Sequence, residues 1–230
     1  MRLQLLLMQL LLCVLPGMEM GASCRLTAWV VEDSSGKVEI TCIGDTMDIV
    51  SPDGLSLWYK ERLTGNYEIT YRVQVVVENG SYDRLSDLNC FWGADDPRHP
   101  DDFFARSAWR NGEFKNYNTL DLYYVGYGGN DNGTTRFREY HGEYYGVDDA
   151  KIKPILKEYT DAAHPFVSPT HWYEVKIPCG EWSHHLCHGV VKSFSSLPVG
   201  PMAKGRTAIS SLRFVAEPRT FCRFPSSKYR

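Results

Sequence analysis

Between Tyr67 and Val77 the chain sets Ile69, Tyr71, Val73, Val75 and Val77 on alternate positions, with Glu68, Thr70, Arg72 and Gln74 between them. Successive side chains of a strand point to opposite faces, so this run is a long strand with a buried inner face. Strand-like runs recur at Val38–Ile43, Met47–Val50, Ser56–Glu61, Leu85–Trp92, Leu120–Tyr127, Thr134–Tyr140 and Trp172–Ile177. Turn-forming clusters divide them, at Pro52-Asp53-Gly54, Asn79-Gly80 and the run from Gly128 to Gly133. No segment carries the period of an amphipathic helix. The class read from this pattern is all-β, two antiparallel sheets packed as a sandwich, with a jelly roll the commonest version at this size.

The chain has 230 residues, enough for one large β domain after loss of a leader. A net charge of −3 and the lack of any Lys/Arg block argue against nucleic acid as a partner. Aromatic residues make up 13%, with 14 Tyr and 6 Trp, which suits both a sandwich core and contact with sugars. Residues 1–23 read as an export signal: Arg2, a leucine-rich run to Leu15, then Gly21, Ala22 and Ser23. The run is broken by Pro16 and Gly17, and no later stretch reaches about 18 apolar residues, so no transmembrane span is expected. Cys24 is a candidate lipid anchor, although Gly21 stands where a lipoprotein signal usually has leucine. The expected destination is the periplasm, the extracellular space or the outer surface. The 7 cysteines show no repeated spacing. Cys42 and Cys90, on alternating strands, read as buried thiols, with a bridge between them left open.

The stretch from Ser81 to Arg106 is the most chemical. From Leu85 to Trp92, Asp87, Asn89 and Phe91 share one face and Leu88, Cys90 and Trp92 the other. A half-polar face of this kind suits a hydroxyl-covered ligand, or is one solvated face of an ordinary sheet. The long loop from Gly93 to Asn118 is expected to carry function or to close over the site. Its paired acids, Asp95-Asp96 and Asp101-Asp102, read as turn caps or as ligands of a calcium ion.

Downstream, TRFREYHGE places Arg136, Arg138 and Tyr140 on one strand face with His141 beside them. Arginine pairs with a uronate carboxylate, and tyrosine or histidine can move the neighbouring proton, which is the chemistry of β-elimination. The structural alternative pairs the arginines with Asp87, Asp121 or Glu139 across strands. A hydrolase would need two opposed carboxylates, with Asp87, Asp95, Asp96, Asp101, Asp102 and Asp121 as candidates. The compact E-x-D-x-E spacing is missing. The cluster His184, His185, Cys187 and His188 lacks a second ligand pair at a zinc spacing, so no metal is assigned to it.

The segments DRLSDLNCFWGADDPRHPDDFFAR, YNTLDLYYVGYGGNDNGTTRFREYHGE and PTHWYEVKI resemble a family of exported bacterial proteins of the DUF6250 type with a concanavalin A-like jelly roll. The layout is also similar to YesU, a protein of pectin-utilisation operons. The resemblance covers roughly Ser56 to Ile177 and implies a β-sandwich in polysaccharide degradation. By position it implies Asp87, Asn89, Trp92, Asp95, Arg106, Tyr123, Asn130, Arg136 and Arg138 as site residues. The chain departs from the family's pattern after Ile177. Residues 24–177 are therefore read as the jelly-roll domain and 178–230 as an aberrant tail, for which a frameshift near Cys179 would account. The function read from the sequence is an exported carbohydrate-active protein that acts on or binds an acidic polysaccharide, with β-elimination as the candidate reaction if it is catalytic. The alternatives are a non-catalytic glycan-binding module or lipoprotein, and a glycoside hydrolase. No cofactor is assigned apart from the calcium candidate.

Overall fold

The computed structural model describes residues 25–63, 67–85, 87–160 and 166–177 with their side chains, and the backbone alone at 19–21, 178–179 and 205–216. Its strands are β1 (Glu19–Gly21), β2 (Trp29–Asp33), β3 (Glu39–Ile43), β4 (Thr46–Ser51), β5 (Leu55–Tyr59), β6 (Tyr67–Val76), β7 (Leu88–Asp95), β8 (Asp121–Gly128), β9 (Thr134–Tyr140), β10 (Ile155–Thr160), β11 (Tyr173–Cys179) and β12 (Gly205–Ala216). Pairing among the described residues is antiparallel throughout. One sheet runs β11-β6-β12-β4-β3 with β1 also on β12, a second runs β10-β9-β8-β7, and β2 pairs with β5. The fold is the expected all-β sandwich. Residues 205–216, inside the segment that the sequence sets apart, insert their backbone between β6 and β4. The leader, Cys24 and the His184–His188 cluster lie outside the described residues, apart from the backbone of 19–21. No helix among the described residues is long and apolar enough to cross a membrane.

The alternating strand does what its period requires. Ile69, Tyr71, Val73 and Val75 of β6 and Met47 and Ile49 of β4 are buried against Leu88 and Cys90 of β7 and Val125 and Tyr127 of β8. Each fully buried aliphatic side chain contributes about 1.5–3 kcal/mol. The alternation stops one residue early: Val76 is buried and Val77, beyond the strand, is exposed. Cys42 also differs from expectation. It lies exposed on β3 and is disulfide-bonded, whereas Cys90 is a buried thiol outside any disulfide, so no bridge joins the two.

The second face of β7 is not an open polar surface. Asn89 and Phe91 are both buried, and Phe91 joins Trp58, Tyr117, Leu120, Leu122, Tyr124 and Tyr140 in a second aromatic cluster. The cover is the long loop, which contributes Phe103, Phe104, Phe114 and Tyr117. A buried charge network fastens it. The Arg110 Nε donates to Glu32 Oε1 at 3.0 Å, a second guanidinium nitrogen lies 2.9 Å from the same oxygen, and the Tyr117 hydroxyl donates to Glu32 Oε2 at 2.7 Å. Arg110 also donates to the Phe103 carbonyl at 3.0 Å and sits 3.8 Å from Asp96, whose carboxylate accepts from the Arg98 backbone and faces His99 at 3.2 Å.

At the lower end of the sheet Gly142 donates its N–H to Asp121 at 2.7 Å and lies hard against the loop backbone. A Cβ there would overlap the Thr119 carbonyl oxygen. Gly142→Ala is accordingly expected to cost about 1–3 kcal/mol by forcing two backbone segments apart, read as a lower urea midpoint at constant m-value.

Candidate active site on the outer sheet face

Register brings the candidate residues into rows across the outer face of the four-stranded sheet. Asn89 of β7 stands beside Gly126 of β8, Gly126 beside Arg136 of β9, and Arg136 beside Glu158 of β10. The next row is Phe91, Tyr124 and Arg138. Gly126 is needed where it stands, because a Cβ there would collide with the Tyr124 hydroxyl oxygen. The missing side chain lets the phenol lie over the strand. Above these rows is a cavity of about 200 Å³, walled by Tyr124, Phe114, Arg136, Arg138, Lys153 and, at one end, Asp87 and Asn130.

Three cations and one carboxylate line this cavity. Arg136 pairs with Glu158, and Asp87 is held by Arg84 at 3.2 Å. Arg138 donates to the Lys153 carbonyl at 2.6 Å. The Lys153 ammonium lies 5.2 Å from the Phe114 ring and 5.7 Å from that of Tyr140. Burial, and secondarily Arg138, lowers the pKa of Lys153. Burial raises Tyr124 well above the ordinary phenol value, with Tyr140 adding to the effect. The cavity is thus an electropositive recess with a protonated phenol on its wall.

The polar end depends on unusual backbone. Asp87, Asn130, Asp131 and Asn132 all have positive φ, between 51° and 68°. Asn and Asp tolerate this region best among residues with side chains. Asn132 fastens the turn, exchanging bonds of 2.7 Å with both the N–H and the carbonyl of Val167. That leaves Asn130 at the cavity, its amide donating to Thr134 at 3.1 Å.

The structure therefore brings together Asp87, Asn130, Arg136 and Arg138. Tyr140 shares their face but is buried beneath them, its hydroxyl without a hydrogen-bond partner among the described residues, and burial raises its pKa. Asn89 is buried in the same face, its side-chain oxygen without a hydrogen-bond partner among the described residues. His141 lies beyond the strand, edge-on to Tyr144 and 3.9 Å from Glu139, and does not line the cavity. Trp92 and Tyr123 point to the opposite face, stacked with one another at 5.8 Å and with Phe137. Asp95 pairs with Arg62 at 3.5 Å beside another cleft, and Arg106 lies over Trp109 at 3.7 Å. The carboxylates considered for hydrolysis are dispersed. Asp96 is buried near Arg110, Asp102 accepts from the Phe104 N–H, and Asp121 accepts from Gly142. Among the described residues no group of three His, Cys, Asp or Glu side chains is placed to hold a metal ion.

Four residues of the cavity and its rim carry no functional pattern in the sequence: Tyr124, Phe114, Lys153 and, at the rim, Glu158. Only Tyr124 has a signal, the glycine two residues later inside a strand, which marks a close approach.

Fold and cavity together define a two-sheet β-sandwich with an electropositive recess on one sheet. The chain belongs to the DUF6250 family, described as a domain of unknown function, whose family model matches residues 49–212. No curated protein matches it. Among solved structures it is similar to the carbohydrate-binding module CBM66 from Bacillus subtilis, at 9% identity over 83% of this chain and 92% of that one, with a TM-score of 0.35. It is also similar to a prokaryotic β-1,3-1,4-glucanase (lichenase) derived from a mouse hindgut metagenome, at 12% identity over 87% and 98% of the two chains, with a TM-score of 0.40.

Proposed function

We propose that this is an exported carbohydrate-active protein that holds an acidic polysaccharide by the carboxylate of one uronate residue. The observation that carries the reading is the convergence of Arg136, Arg138 and Lys153 on one small recess with Tyr124 on its wall. Guanidinium forks fit a carboxylate, Asp87 and Asn130 suit hydroxyls, and the Phe114 ring suits the apolar face of a pyranose. The disulfide-bonded Cys42 supports export.

β-Elimination is the reaction this arrangement serves. With the carboxylate neutralised by the arginines, the C5 proton passes to a base, the C4–O4 bond breaks, a C4–C5 double bond forms, and the leaving oxygen takes a proton. Tyr124, kept protonated by burial, suits the donor. Lys153, whose pKa is lowered, suits the base once neutral. The rate is then expected to rise with pH through the titration of Lys153, at a pH below the ordinary lysine value.

The test is ultraviolet absorbance of unsaturated uronate products from polygalacturonate, alginate and glucuronan. Product that Arg136→Ala abolishes is the expected result. Saturable binding without product would replace the lyase by a glycan-binding module, and new reducing ends without absorbance would replace it by a hydrolase.

A further inference from the structure

Trp92 and Asp95, singled out in the sequence, have no place in the electropositive recess. They line a separate cleft of about 400 Å³ at the other end of β7. Its walls include Trp29, Trp58 and Phe103, and the Arg62–Asp95 ion pair is exposed beside them. We propose that this cleft binds a neutral sugar residue.

Three observations select that ligand. First, Trp29 and Trp58 are more than nine-tenths buried, both line the cleft, and both indole N–H groups are buried without a hydrogen-bond partner among the described residues. Buried donors are normally answered, and a hydroxyl-bearing ligand supplies acceptors that a hydrocarbon chain does not. Second, the charged residues lining the cleft balance, Lys60 and Arg62 against Glu61 and Asp95. This contrasts with the cationic recess and favours a ligand without net charge. Third, aromatic walls joined to an exposed guanidinium and carboxylate match a pyranose. Its apolar face packs on rings, while adjacent hydroxyls accept from Arg62 and donate to Asp95.

The experiment follows the indole N–H signals of Trp29 and Trp58 by NMR while the full chain is titrated with cellotetraose, xylotetraose and galactotetraose. The titration is run on the unaltered protein and on an Arg136→Ala/Arg138→Ala variant. The expected result is a saturable shift of both signals with at least one of these neutral sugars, at the same affinity in both proteins. Asp95→Ala is expected to weaken that binding about tenfold with the melting temperature unchanged, as for loss of one charge-assisted hydrogen bond. The proposal is overturned if neither signal moves with any of the three, if shifts vanish in the double-arginine variant, or if Asp95→Ala and Arg62→Ala both bind normally. Because the double variant removes the uronate recess, failure here and failure of the uronate reading are distinguishable.

Discussion

Arg110→Ala is expected to lower the folding stability by about 3–5 kcal/mol, the largest single-substitution effect expected for this chain. The reason is electrostatic. Glu32 and Asp96 are both fully buried, and Arg110 is the cation that reaches toward both. Its removal leaves carboxylates in a dry interior and frees the Phe103 carbonyl, so the loop over Phe91 and Tyr124 loses its fastening. Glu32→Gln is expected to cost less, because the amide oxygen still accepts from Tyr117. Urea titrations of the two variants check the order. Equal losses, or a loss for Arg110→Ala below about 1 kcal/mol, would show that the network is not what holds the loop.

The second large effect is on ligand affinity. Arg138→Ala should weaken binding of a uronate oligosaccharide roughly a hundredfold, the scale for truncating one partner of a largely desolvated charge pair. Arg136→Ala should do at least as much, since it also leaves Glu158 unpaired beside the bound carboxylate. Glu158→Gln should act in the opposite direction, freeing the Arg136 guanidinium and raising affinity severalfold. Calorimetric titration at two salt concentrations measures all three. If Arg138→Ala binds within about threefold of the unaltered protein while its melting temperature is unchanged, the recess is not the carboxylate site.

Much of this fold is legible in the sequence because its strands obey a two-residue period. The inner face of β6, the inward direction of Leu88 and Cys90, and the shared face of Arg136 and Arg138 all follow from alternation alone. Alternation does not say what lies opposite a face, however. Phe91 reads as solvent-facing because the loop that covers it is crowded with Asp, Arg and Pro, and its few rings carry no periodic signal. Glu158 cannot be assigned to Arg136 in advance because β10, reading Ile-Leu-Lys-Glu-Tyr-Thr, has no clean alternation and does not stand out as a strand. Cys42 misleads for a related reason. Its run looks like a core strand, but β3 stands at the edge of its sheet and leaves that side chain exposed.

The position of β12 has a consequence for how the molecule comes into being. β4 and β6 are complete by residue 76, yet the strand that lies between them is made of residues 205–216. A chain emerging from the ribosome therefore carries two unsatisfied strand edges until residues 205–216 have been made, and pairings this distant in sequence form slowly. For a protein exported as proposed above, threaded across a membrane before it folds, that delay is an advantage. The larger sheet cannot close until residues 205–216 have arrived.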